Sequence, residues 1–272
     1  MANLMEWIAQ LRQEGYGEAN ARAKLCQDIV LKAISDSALH RNVTVKGGVV
    51  MQNLTGDVRR ATQDIDMDFI HYSLSDEAID RFLQTLDQQS AFHIERTGRI
   101  EELRQQDYQG KRVYVHIQDD AGTSIKTKID FGVHKDFDIE QDEYCFDVCM
   151  DDDGASLLIN SKEQMFTEKL KSLLKFGPFS TRFKDVFDLS YLVDVVDAGR
   201  LRHCLDFYIF QRDDMKESDV AGILQRLETT FRDKRYRHRI ATSRKNWNEL
   251  SPDDAFRKII KFLAQSFFLW DE

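Results

Sequence analysis

The sequence predicts an α+β protein: a mixed β-sheet flanked by helices in the N-terminal part, followed by a C-terminal helical domain. Three observations carry this. Over residues 1–40 apolar positions such as Trp7, Leu11, Ala21, Leu25, Ile29, Ile34 and Leu39 recur about every 3.6 residues. From residue 43 to about 160 the rhythm shortens to two, in short runs. Beyond that, helical periodicity returns and persists to the C-terminus.

The elements follow in order. Two helices occupy the first forty residues. The β-branched run VTV at 43–45 starts the strands, and DIDMDFI at 64–70, VYVHI at 113–117, SIKTKIDF at 124–131 and YCFDVCM at 144–150 continue them. One helical piece, DEAIDRFLQTL at 76–86, intervenes, and Asp119, Asp120 and Gly122 supply a hairpin turn. Strands and helices mix without regular alternation, which favours α+β over a doubly wound sheet. After the acidic run Asp151-Asp152-Asp153-Gly154, Ser161 and Gln164 form a capping box that opens a helix reaching about Lys175, and Gly177-Pro178 stops it. Further helices are expected near 182–198, 201–211, 217–233 and 252–268. The domains are therefore drawn as 1–156 and 157–272.

Composition narrows the function classes. With 272 residues, 42% hydrophobic and 31% charged, the chain can bury a sizeable core in two domains, which excludes wholesale disorder. The net charge of −9, from 47 acids against 38 Lys and Arg, excludes a uniformly basic nucleic-acid coat but not a local basic patch. No run approaches the ~18 apolar residues of a membrane span, and the first residues lack the basic-then-apolar pattern of a secretory leader. Four cysteines (Cys26, Cys145, Cys149, Cys204) without a C-x-x-C suit a reduced compartment. Cys145 and Cys149 are expected on one strand face as buried thiols. The expected location is the cytoplasm, without a membrane partner.

Chemistry concentrates between Lys46 and Asp68. In a strand over 64–70, Asp64 and Asp66 share one face and Ile65, Met67 and Phe69 the other. Two carboxylates about 7 Å apart repel unless a cation stands between them, and hard oxygen donors suit Mg²⁺, with Mn²⁺ as the alternative. An isolated D-x-D also fits a solvated strand edge. Here, however, Gly47-Gly48 precedes it at a strand-to-helix turn, where phosphate can approach the backbone and free N–H groups of a helix start. Asp130, on the polar face of SIKTKIDF with Lys126 and Lys128, would join Asp64 and Asp66 if the two strands are neighbours. Three such carboxylates fit a metal-assisted phosphoryl transfer, with Asp130 holding or deprotonating the acceptor.

Together, K-G-G, R-x-T-x-D-I-D, E-K-L-x-x-L (Glu168 to Leu173) and R-x-K-D-x-x-D-L (Arg182 to Leu189) resemble the AbiEii/AbiGii (MenT-like) nucleotidyltransferase toxins, within the DNA polymerase β-like nucleotidyltransferase superfamily. The resemblance spans about residues 40–195. It implies a nucleotidyltransferase-type N-terminal fold and transfer of NMP from an NTP to an acceptor hydroxyl. It further implies an RNA acceptor such as a tRNA 3′ end, growth arrest as the effect, and a cognate antitoxin. By position it implies nucleotide contacts at Lys46, Gly47, Gly48, Thr62, Lys169 and Arg182, metal at Asp64 and Asp66, and Asp185 completing the active centre. One departure stands out: superfamily members often carry Ser or Thr at or just after the second glycine, where this chain has Gly48-Val49-Val50.

The helical part adds positive charge. Arg232–Lys245 holds seven Lys and Arg against the single acid Asp233, with Tyr236, His238 and Trp247 interleaved or adjacent, as an RNA-facing surface requires. A solvated helix face or a contact for an acidic partner fits as well. Lys169, Lys171, Lys175, Arg182 and Lys184 form a second basic run. Other readings are a nucleotide- or RNA-binding regulatory module without transfer activity, phosphoryl transfer to protein or RNA, and a small-molecule acceptor.

Overall fold

A computed structural model describes residues 3–105, 108–134 and 138–270. The chain divides into two compact units, Met1–Asn160 and Ser161–Glu272.

The first unit is a seven-stranded mixed sheet with helices around it. Its elements are α1 (Leu4–Gln13), α2 (Glu18–Ser35), β1 (Val43–Lys46), α3 (Gly48–Thr55), β2 (Ile65–Phe69), α4 (Asp76–Gln89) and the strands β3 (His93–Gln105), β4 (Tyr108–Gln118), β5 (Ser124–Val133), β6 (Asp142–Val148) and β7 (Asp151–Ile159). The strand order is β3-β4-β5-β2-β1-β7-β6. β2 runs parallel to β5 and β1 parallel to β7, while the remaining neighbours are antiparallel. The expected α+β class is what the chain adopts.

Alternation decides which face is core. Ile65, Met67 and Phe69 are fully buried, as are Val113, Val115, Ile129 and Phe131. Phe69 stacks on Phe131 at 4.9 Å, and Phe82 of α4 meets both rings edge-on at 5.2 and 5.6 Å. Each such ring contributes roughly 1.5–3 kcal/mol by burial. The opposite face of β1, β2, β4 and β5 is left to Lys46, Asp66, Asp68, Arg112, Lys128 and Asp130. Asp119 closes the β4–β5 turn by accepting from the Ala121 and Thr123 amides, and it also accepts from Leu4 at the start of α1.

The second unit is helical: α5 (Lys162–Phe176), α6 (Phe183–Leu192), α7 (Ala198–Leu205), α8 (Val220–Arg232), α9 (Lys234–Ala241) and α10 (Pro252–Trp270). Ser161 caps α5 by accepting from the Gln164 amide at 3.1 Å, as the capping-box pattern requires. No helix among the described residues is long and apolar enough to cross a membrane.

The structure corrects several sequence expectations. β3 has no pattern of alternation because Gly98 takes φ +70° and the register slips between Thr97 and Glu101. β7 begins in the acidic run Asp151-Asp152-Asp153, where no strand is expected from the sequence, and Gly154, at φ +72°, sits so close to Phe146 that a Cβ would meet its carbonyl oxygen at 2.6 Å. Cys145 is exposed rather than buried, and Cys149 lies beyond the end of β6. Tyr236 (0% exposed) and Trp247 (4%) are core residues of the helical unit, so neither ring meets solvent from the basic segment.

Candidate active site

β1 ends at Lys46 and the chain turns through Gly47 into α3. Gly47 adopts φ +69°, a left-handed backbone, and a Cβ there would come within 2.6 Å of the Asp66 Oδ2. At Gly48 the Cβ would meet Thr62 Oγ1 at 2.5 Å. Both glycines are thus required by close approach, Gly47 to a carboxylate and Gly48 to a hydroxyl. Thr62 is held from two sides: its amide donates to the buried Gln52 of α3 at 3.0 Å, and its carbonyl accepts from the buried Gln27 of α2 at 2.9 Å. A hydroxyl, that of Thr62 in the loop before β2, therefore lies against Gly48.

Across the sheet, four residues stand in one row. Arg112 of β4 pairs in register with Asp130 of β5, Asp130 with Asp66 of β2, and Asp66 with Lys46 of β1. The two strands carrying Asp66 and Asp130 are neighbours, as the chemistry read from the sequence requires. The acids are met by side chains of the protein itself. Arg112 grips Asp130 through Nε and Nη2, both at 2.7 Å. Lys128 lies 3.1 Å from Asp64, and Lys46 donates to both oxygens of the buried Asp68 at 2.7 and 2.8 Å. The Asp130 hydrogen bonds outweigh partial burial and raise the Arg112 pKa above its usual range.

Among the described residues no three carboxylate, imidazole or thiol groups are gathered into a cage for a metal ion. Mg²⁺ would need only one or two carboxylates, since it leaves its remaining positions to water and phosphate oxygens. Asp64, 43% exposed just before β2, and Asp66 beside the start of α3 are the donors of that kind. Asp130 is committed to Arg112.

Lys169, Arg182 and Asp185 lie in the second unit. Lys169 is buried and reaches Asp188 at 2.8 Å and Asp185 at 3.4 Å. Asp188, fully buried, also accepts from Trp247 Nε1 at 2.9 Å. Arg182 is largely exposed and stands 2.7 Å from Asp185, in an ion pair one helical turn apart. Burial, reinforced by the Asp185 charge, raises the Tyr236 phenol. The polar face of α6 is thus turned inward on a lysine rather than solvated.

A family model described as the nucleotidyl transferase AbiEii toxin of type IV toxin–antitoxin systems matches residues 29–262. The chain belongs to the AbiEii family. Membership makes it a nucleotidyltransferase toxin, with a nucleoside triphosphate as substrate and an antitoxin as counterpart. A search of curated proteins found no match.

Two residues of this face in the AbiEii chain are not singled out by the sequence. Asp68 continues the D-x-D alternation and carried a signal in DIDMDF. Arg112 carried none, because its importance lies in cross-strand register.

Proposed function

We propose that the chain moves a nucleoside monophosphate from an NTP to a hydroxyl of RNA, with a tRNA 3′ end as acceptor. The same reading places it in the cytoplasm, held in check by a cognate antitoxin. The single observation that carries the catalytic reading is the row Lys46–Asp66–Asp130, which sets two acids in register beside the glycine turn that opens α3.

In this reading the α3 N-terminus and the side-chain-free backbone at Gly47 and Gly48 receive the phosphates, where free amides and the helix dipole favour anions. Thr62, packed over Gly48, offers the hydroxyl donor to the same phosphates. Asp64 and Asp66 would hold Mg²⁺, with Mn²⁺ as the alternative. Bound there, the ion would neutralise charge developing on the phosphates and the departing pyrophosphate. Asp130 orients the acceptor hydroxyl, and the Arg112 fork fixes the plane of that carboxylate. Lys46, bound to Asp68, supplies positive charge beside the phosphates. Lys169, Arg182 and Asp185 remain the proposed nucleotide-contacting and catalytic residues of the second unit.

Incubation with α-labelled and γ-labelled NTPs and total RNA tests this. Label entering RNA from the α position alone supports nucleotidyl transfer. Label from the γ position supports phosphoryl transfer, and label from neither leaves a binding module.

A further inference from the structure

The helical unit carries an unusual turn. α5 ends at Phe176, the chain passes through a tight turn over Gly177–Phe179, and α6 follows. Phe179 is 84% exposed and Phe176 53%, the two most exposed large apolar side chains among the described residues. Rings set in water are ordinarily a cost, and here the backbone beneath them is fixed rather than loose.

Two arginines from distant helices do the fixing. Arg226 of α8 donates Nε to the Leu174 carbonyl at 3.1 Å and lies so close to Gly177 that a Cβ there would meet its Nη2 at 2.5 Å. Gly177 takes φ +50°, which favours glycine in any case. Arg239 of α9 donates to the Pro178 carbonyl and, at 3.4 Å, to that of Ser180, while covering the Phe183 ring at 5.6 Å. The hydrogen bonds of both guanidiniums among the described residues go to backbone carbonyls and not to carboxylates. Their bonds to carbonyls leave the charge uncancelled.

Arg239 ties the basic segment 232–245 to a turn whose flanks carry the other basic run. Lys171, Lys175, Arg182 and Lys184 come from its own flanks and Arg239 from the segment 232–245. Lys171 and Lys175 are engaged by Asp214 and Arg182 by Asp185, so the two guanidiniums of Arg226 and Arg239 carry the charge at the turn itself.

We propose that Phe179, with Phe176 in the same turn, is a stacking platform for an unpaired base of RNA, and that the guanidiniums of Arg226 and Arg239 attract the adjoining phosphates. An aromatic face amid positive charge matches a ligand with flat π faces on an anionic backbone. Two rings beside two guanidiniums are far smaller than the ~1,200–2,000 Å² of a stable protein interface. This rests on the RNA reading of the acceptor and names the part of the chain that would grip it.

The test uses the full chain and a fluorescein-labelled, unstructured RNA oligonucleotide, with a blunt duplex of the same sequence as control. Phe179→Ala should bind the single strand about tenfold more weakly, with unchanged salt dependence, and Phe179→Trp should restore affinity. Duplex binding and the binding of a fluorescent NTP should not change. Because Phe179 is exposed, the substitution leaves the core intact. Single-strand affinity unchanged in both Phe179→Ala and Phe176→Ala, or an equal loss on duplex, would overturn the platform. Loss of affinity for a protein antitoxin alone would overturn it too and hand the turn to that partner. Absence of RNA binding by the unaltered chain would instead defeat the RNA reading itself.

Discussion

Arg112 and Asp130 face each other across β4 and β5, and the guanidinium closes on both carboxylate oxygens at 2.7 Å. The pair is only partly exposed, at 27% and 17% of the side chains, so its partners cannot simply turn to water. Arg112→Ala should destabilise the fold by about 1–3 kcal/mol, the cost of a charged group left without its hydrogen bonds. Arg112→Lys should recover only part of that, since an ammonium cannot reproduce the fork. In combination with Asp130→Asn the loss should fall well short of additive, read from urea midpoints of the four proteins.

The glycine turn gives a second cycle. Gly48→Ala places a methyl 2.5 Å from the Thr62 hydroxyl oxygen and 2.8 Å from its Cβ. Since Gln27 and Gln52 hold Thr62 in place, the strain should cost about 1–3 kcal/mol. It should also weaken NTP binding, measured by titration with a fluorescent nucleotide. Thr62→Gly should relieve most of the strain when added to Gly48→Ala.

In the helical unit, Trp247→Phe keeps the ring packing but removes the Nε1 donor from Asp188. Asp188 is fully buried, so the predicted loss is about 1–3 kcal/mol in chemical denaturation, with Lys169 remaining as its partner.

Asp214 supplies a pH dependence. Burial by itself would raise its pKa, but hydrogen bonds from Arg212 and Lys175 and the charge of Lys171 outweigh that and lower it to about 2. A depressed carboxyl stabilises the fold above its unfolded pKa of about 3.9, and that contribution disappears as pH falls toward the folded value. The difference in urea midpoint between the unaltered chain and Asp214→Asn should therefore be constant above about pH 5 and shrink toward zero near pH 2.

What the sequence discloses follows from range. Period-two alternation exposes β2 and β5 because one face of β2 is wholly apolar and that of β5 apolar but for Thr127, and the Ser161 cap and Gly177-Pro178 stop are local chemistry. β3 and β7 escape notice because a glycine-centred irregularity breaks the alternation in each. At the candidate site, Asp64, Asp66, Asp130 and the glycine pair are legible as residue types at informative spacings. The closure of Asp130 by Arg112, and the arrival of the Thr62 hydroxyl over Gly48, depend on register and loop path and have no local sign. The aromatics of the basic segment illustrate the same limit: Tyr236 and Trp247 sit at spacings that suit RNA, yet packing against Phe183, Phe231 and Tyr191 takes them inside.

The most direct measurement is transfer of label from an α-labelled NTP to RNA by the unaltered chain and by Asp66→Asn, with circular dichroism to verify that both are folded. Asp66 stands at the centre of the row and against Gly47. The expected result is Mg²⁺-dependent labelling that falls at least about a hundredfold in the variant. Labelling at the unaltered rate by folded Asp66→Asn would contradict the assignment of this face as the catalytic centre.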